Sequence, residues 1–160
     1  MGLSSVYGVA GLKNYERKMI TKVARFTASG TWTVPTGVTY AIAYIRGAGG
    51  GVGRTGGGTG GSSSVAFASG TITADGGATA GYQGYTAIGA STGAANSGQG
   101  AYMTHDVTAA RAGDGAYIVA GADVTAGASI TITIGAGGTS GTSGAAGGSG
   151  YIWIEYQVAA

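Results

Sequence analysis

The chain holds few residues able to carry out chemistry, and their spacing works against each reaction they could support. His105 is the only histidine and cysteine is absent. A metal site needing two imidazoles, a thiolate site and a thiol nucleophile are therefore unavailable within one chain. A Ser-His-Asp arrangement would have to use His105, and its sequence neighbour Asp106 points to the opposite face if that segment is extended. The carboxylates Asp75, Asp106, Asp114, Asp123 and Glu155 stand singly, without the alternating acidic spacing of a calcium loop. Gly51-Val52-Gly53-Arg54-Thr55-Gly56 matches the dinucleotide fingerprint, but Gly57, Gly58, Gly60 and Gly61 follow where a helix must start to offer its amides to a pyrophosphate. The expectation is a protein that is not an enzyme, with no cofactor and no metal.

Recognition is the chemistry that remains. From Gly81 to Asp106 the chain interleaves Tyr82, Tyr85 and Tyr102 with Gln83, Asn96, Gln99 and His105 among glycine, serine and alanine. Tyrosine beside glycine presents a rigid amphipathic face suited to sugar stacking or protein contact. These seven residues are the candidate receptor or glycan contact; the alternative is that the tyrosines cover the chain's own glycine tracts.

The elements that must position such a surface come from an unusual composition. Charged residues are only 9% of 160 residues, against roughly 25% in an ordinary soluble domain. Glycine supplies 36 positions and the apolar content is 44%. High apolar content and a net charge of +2 argue against wholesale disorder. No apolar run reaches the roughly 18 residues of a membrane span, and the basic residues near the start follow the weakly apolar stretch instead of preceding it, unlike a secretory signal.

Residues 1–25 read as a basic anchoring arm. Leu12, Tyr15, Met19 and Val23 have helical spacing, while Lys13, Arg17, Lys18 and Lys22 supply charge for an acidic partner or a membrane surface; the alternative is a solvated face on a helix packed against its own domain. The rest, 26–160, is mildly acidic, and no nucleic-acid binding or membrane insertion is expected of it.

From Phe26 the pattern is that of strands. Phe26, Trp32 and Val34 share one parity, and Val34-Pro35-Thr36-Gly37 fits a type I turn. Val38 to Arg46 is apolar on both parities, which predicts that both faces are covered. Ser64 to Thr73 and Ala116 to Ala120 give further strands. Ala128 to Ile134 alternates Ile130, Ile132 and Ile134 with Thr131 and Thr133, and Tyr151 to Val158 alternates again. The fold class is all-β: an antiparallel β-sandwich or jelly-roll-like domain with glycine-rich loops and an N-terminal arm.

One glycine tract is periodic. Gly135, Gly138, Gly141, Gly144, Gly147 and Gly150 recur every third residue, and Gly47, Gly50, Gly53 and Gly56 repeat the spacing. Three residues per turn is the polyproline-II repeat, which would line up side-chain-free positions where neighbouring chains approach closely. Such polyglycine-II-type packing stands against the alternative of a flexible Gly/Ser loop.

The run from Phe26 to Gly61, with Thr31-Trp32-Thr33-Val34-Pro35 leading to an apolar strand and a glycine tract, resembles the opening of the glycine-rich domain of bacteriophage tail and tail-fibre proteins. Ile130 to Gly138 and Ser149 to Tyr156 resemble its ending. The resemblance implies a virion structural protein, assembled in the host cytoplasm and often trimeric, so a homo-oligomer with a trimer favoured is the expectation. It implies a tail-fibre or tail-tip component, held to other virion proteins by the arm and presenting its glycine- and tyrosine-rich surface for host attachment. A capsid decoration or head-fibre protein, and a polysaccharide-binding module, are the competing roles.

Overall fold

The computed structural model describes residues 18–81, 87–105 and 109–160. Their thirteen strands are β1 (Met19–Phe26), β2 (Gly30–Thr33), β3 (Tyr40–Arg46), β4 (Val52–Gly53), β5 (Ser63–Phe67), β6 (Gly70–Ala74), β7 (Ala80–Gly81), β8 (Ala87–Ser91), β9 (Tyr102–His105), β10 (Ala109–Arg111), β11 (Tyr117–Asp123), β12 (Ser129–Thr133) and β13 (Tyr151–Ala159). Two four-stranded antiparallel sheets, ordered β1-β13-β3-β11 and β2-β12-β5-β6, share one hydrophobic core. The first contributes Ala41, Ala43, Ile45, Ile152 and Ile154 to it, and the second contributes Trp32, Val65, Phe67, Ile130 and Ile132. Small alanines on one sheet and large rings on the other fill a single layer. The protein is thus all-β with several antiparallel sheets, as its alternating patterns predict.

Several local expectations are corrected. Met19 and Val23 lie in β1, which pairs with β13 along its whole length, so the helical stripe does not form there and Met19 and Lys22 belong to the sheet. The tertiary pairing of Ile20, Ala24 and Phe26 with an apolar strand overrides a weak 3.6-residue pattern. A boundary at 25/26 would cut this strand. Leu12, Lys13, Tyr15 and Arg17 fall outside the described residues. Phe26 and Trp32 do not share a strand, because a bend at 27–29 carries the chain from one sheet to the other. Ser64 to Thr73 is a hairpin, β5 to β6, with Gly70 at a φ of 140°. The proline turn runs one residue later than expected, from Pro35 to Val38, with Gly37 at φ 81°. A positive φ at the third position is the signature of a type II turn, and Thr125–Ala128 repeats it with Gly127 at φ 81°.

Beyond one end of these sheets the glycine tracts form a second body of ordered structure. Residues 47–52, continuing β3, donate their amides in strict rotation. Gly47 and Gly50 bond to Ala116 and Gly113, Ala48 and Gly51 to Gly61 and Gly58, and Gly49 and Val52 to Gly148 and Ala145. Their carbonyls accept in three further directions, Ala48 from Gly77, Gly49 from Gly138 and Gly50 from Ala101. A bond that changes neighbour every residue and returns every third is the three-residue repeat of polyproline-II geometry. The central tract is therefore surrounded by six others, and these bond to one another around the ring: Gly61 to Ala136, Gly147 to Gly138, Gly148 to Gln99, Ala112 to Ala101, Gly113 to Ala78 and Gly60 to Gly77.

Glycine is required here by crowding and not by dihedral angle, since Gly56 and Gly98 are the only glycines of these tracts and their turns with positive φ. A methyl on Gly135, Gly138, Gly141, Gly144 or Gly147 would overlap a backbone oxygen of the neighbouring tracts, and on Gly150 it would overlap Ser63 Oγ. Every third residue of 135–150 faces a neighbouring tract or strand at close range, hence the period. The central tract is faced from all sides, hence the unbroken Gly49-Gly50-Gly51. The expected three-residue packing is present, but its neighbours are tracts of the same chain.

Where the bundle must carry side chains it makes a small core of its own, Val52, Ala101, Met103, Ala112 and Ala145. At the junction with the sheets Ser63, fully buried, accepts the Gly135 amide at 3.0 Å. The third sheet, β8-β9-β10, caps the far end, because the tract 98–101 runs parallel to 47–50 and feeds β9.

Candidate functional site

The outward face of the β1-β13-β3-β11 sheet is the most distinctive surface among the described residues. Register fixes its rows. Tyr151, Arg46 and Tyr117 lie abreast nearest the bundle; Arg25, Trp153, Tyr44 and Val119 come next; then Val23, Glu155, Ile42 and Gly121; then Thr21, Gln157, Tyr40 and Asp123. Val23, Tyr40, Tyr117 and Val119 are exposed by 45–52%. The expectation that both faces of β3 are covered is corrected: Ala41, Ala43 and Ile45 are buried, whereas Ile42 and Tyr44 on the other parity are only half-buried.

Aromatic rings organise this face. Trp153 lies 5.0 Å from Tyr44 at 19° and 5.2 Å from Tyr151 at 3°, with Tyr117 at 6.4 Å. The Tyr40 ring lies against Gly121, where any Cβ would overlap its hydroxyl. The ring covers backbone that a glycine would otherwise leave bare. Beside the rings runs a cleft of about 610 Å³ whose walls include Arg25, Asn96, Tyr151, Trp153 and Glu155. That size and mixed lining suit contact with a ligand or a partner.

Tyr44 donates its hydroxyl to Glu155 Oε2 at 3.1 Å. This hydrogen bond, with desolvation and the nearby carboxylate charge, raises the phenol above its ordinary value of 10.0. The neutral phenol is the form that donates, so the contribution of this pair is present below pH 10 and is lost as pH rises through the raised folded-state value. In an alkaline titration followed by tyrosinate absorbance, Tyr44 is expected to ionise after an exposed phenol, and Glu155→Gln should bring it down towards 10. A profile unchanged by that substitution would refute the coupling.

The residues expected to form a single contact surface are divided. Asn96, in a turn at φ 53°, donates its amide to Ser149 Oγ and accepts from the same hydroxyl, and Gln99 accepts the Ala94 amide. Asn96 therefore fastens the 93–99 segment to the bundle, and the Gln99 side chain closes that segment on itself. Tyr102 stands 42% exposed on β9 in the capping sheet, which also contains the backbone of His105. Tyr82, Gln83 and Tyr85 lie outside the described residues. The dinucleotide-like segment is excluded as a phosphate cradle, because the amides of Gly51, Val52, Arg54 and Gly56 are all bonded to backbone carbonyls. Among the described residues no group of three metal-ligating side chains occurs.

Asp114 ties the capping sheet's exit to the bundle. It accepts both Arg111 bonds at 3.1 Å and the Gly100 amide at 2.7 Å, with Arg46 at 3.7 Å. This is a structural knot of charge.

The class defined by fold and surface is an all-β protein that presents an aromatic sheet face beside a backbone-bonded glycine bundle. Comparison with known protein families, with characterised proteins and with solved structures returned no match.

Proposed function

We propose that this protein is a non-enzymatic structural component of a bacteriophage particle, a tail-fibre or tail-tip part that carries a host-contact surface at one end and is anchored at the other. The observation that carries this reading is the placement of the ends. Met19, the first residue of β1, lies beside Ala159 on the side of the sheets away from the bundle, while β8-β9-β10 caps the bundle's opposite end. Taken as a β-sandwich followed by a glycine bundle, the two bodies separate these ends by roughly 45–50 Å at 3.3 Å per strand residue and 3.1 Å per tract residue. The bundle supports such a spacer because its tracts are bonded laterally in every direction and cannot bend independently. The resemblance of Phe26 to Gly61 and of Ile130 to Tyr156 to the glycine-rich tail domain gives the setting.

Immunogold electron microscopy of intact particles tests the proposal. Label at the tail is the expected result. Label over the head would replace it with capsid decoration, and particles without label would overturn the virion reading altogether.

A further inference from the structure

We infer that the aromatic face of the β1-β13-β3-β11 sheet is a two-fold interface with a second copy of this chain, the strands of the two copies running antiparallel across it. This does not depend on the particle assignment. In plan the face measures about 20 Å along the strands and about 19 Å across four of them, roughly 400 Å², with a centre of rings and aliphatic side chains flanked by Arg25, Arg46, Glu155 and Asp123. With side-chain relief and the adjoining cleft it approaches the roughly 600–800 Å² per partner of a small specific interface.

The charges choose the occupant. Arg25 and Arg46 stand in the two rows nearest the bundle, and Glu155 and Asp123 in the two rows farthest from it. A two-fold axis lying in the interface, perpendicular to the strands and between the second and third rows, inverts the row order while keeping each strand opposite itself. Arg25 of one copy then lies one strand spacing, about 4.8 Å in projection, from Glu155 of the other, and Arg46, which also lies 3.7 Å from Asp114 of its own copy, has the same relation to Asp123. Tyr44 meets Ile42, and Val23 meets the aliphatic stem of Arg25. A three-fold arrangement cannot pair one face with itself, so the inference departs from the expected trimer.

The charge pairing gives a test by complementation. Wild-type protein should sediment as a dimer at about 100 μM and dissociate on dilution towards about 1 μM, as a small interface requires. Arg25→Glu and Glu155→Arg should each be monomeric, since each places like charges in both symmetric contacts. Mixed in equal amounts, the two variants should recover a dimer containing one of each, because only that pairing restores both contacts. Val119→Arg, on an exposed edge strand, should also be monomeric, and circular dichroism of all three variants should match wild type. A wild-type monomer at about 100 μM, an oligomer unaffected by these substitutions, or a mixture that remains monomeric would overturn the inference. Oligosaccharide binding to such a monomer would give the face to a glycan instead, and protection of it by residues 1–17 would give it to the chain's own N-terminus.

Discussion

Gly50→Ala is expected to destabilise the protein by at least about 4 kcal/mol, in a fold whose whole stability should lie in the range of about 5–15 kcal/mol. The added methyl would overlap the Ala78 carbonyl, and the surrounding atoms are backbone, which cannot rotate aside as a side chain can. Forcing the tracts apart strains the packing by about 1–3 kcal/mol. It also lengthens the bonds Gly50 makes to Gly113 and receives from Ala101, each worth about 1 kcal/mol, and it disturbs the Gly113 to Ala78 bond beside them. Gly30→Ala is the control. Gly30 lies in β2 with open space around its Cα and no positive φ, so alanine there should be neutral or stabilising by up to about 1 kcal/mol. Urea denaturation of both variants decides the matter: equal midpoints would mean that the tracts tolerate side chains and are not close-packed. Native-state hydrogen exchange gives an independent reading, because the amides of Gly49, Gly50 and Gly51 should exchange only through global unfolding although those residues carry no side chain.

This dependence on backbone packing also explains what the sequence conceals. Ile130, Ile132, Ile152 and Ile154 alternate because one sheet face is buried and the other is not, so their strands are legible from local spacing. The period of Gly135 to Gly150 is legible for the same kind of reason, since one residue in three faces a close neighbour. Which tract forms the centre is not. Gly47, Gly50 and Gly53 show the same spacing as the 135–150 tract, and only the arrival of six distant segments makes the run around Gly49-Gly50-Gly51 the enclosed one. Ala78, Ala101 and Ala112 gave no sign of their tracts, because alanine is tolerated wherever Cβ points away from the lattice. The aromatic face is hidden in the sequence for a different reason. Tyr40, Ile42 and Tyr44 look like core residues, and nothing local separates a face covered within the chain from one left half-open. Asn96 and Gln99 look like contact residues because polar side chains among glycines look available, whereas their partners, the Ser149 hydroxyl and the Ala94 amide, are set by tertiary placement or turn geometry.

The second large effect is expected at Ile132, in the centre of the β2-β12-β5 ladder and 1% exposed. Ile132→Ala should cost about 2–5 kcal/mol, the transfer free energy of the lost methylenes plus the cavity they leave. Its neighbour Thr131 faces outward, and Thr131→Ala should cost under about 1 kcal/mol. The difference between these adjacent positions measures how strictly the sheet separates its two faces. A further consequence follows from connectivity. β3 continues directly into the central tract, β12 into 135–141, and 145–150 into β13, so no glycine tract in this part of the chain ends without becoming a strand. Sheets and bundle should therefore unfold together. Ile132→Ala, which touches only the sheet core, is expected to raise the exchange rates of the Gly49 to Gly51 amides by the factor its equilibrium destabilisation dictates, about tenfold for each 1.4 kcal/mol. Near-ultraviolet circular dichroism of Trp32 and Trp153 should report the same midpoint as those amides. Separate midpoints would show that the bundle is a folding unit of its own, held by hydrogen bonds and by the small cluster around Val52 and Met103 without help from the sheet core.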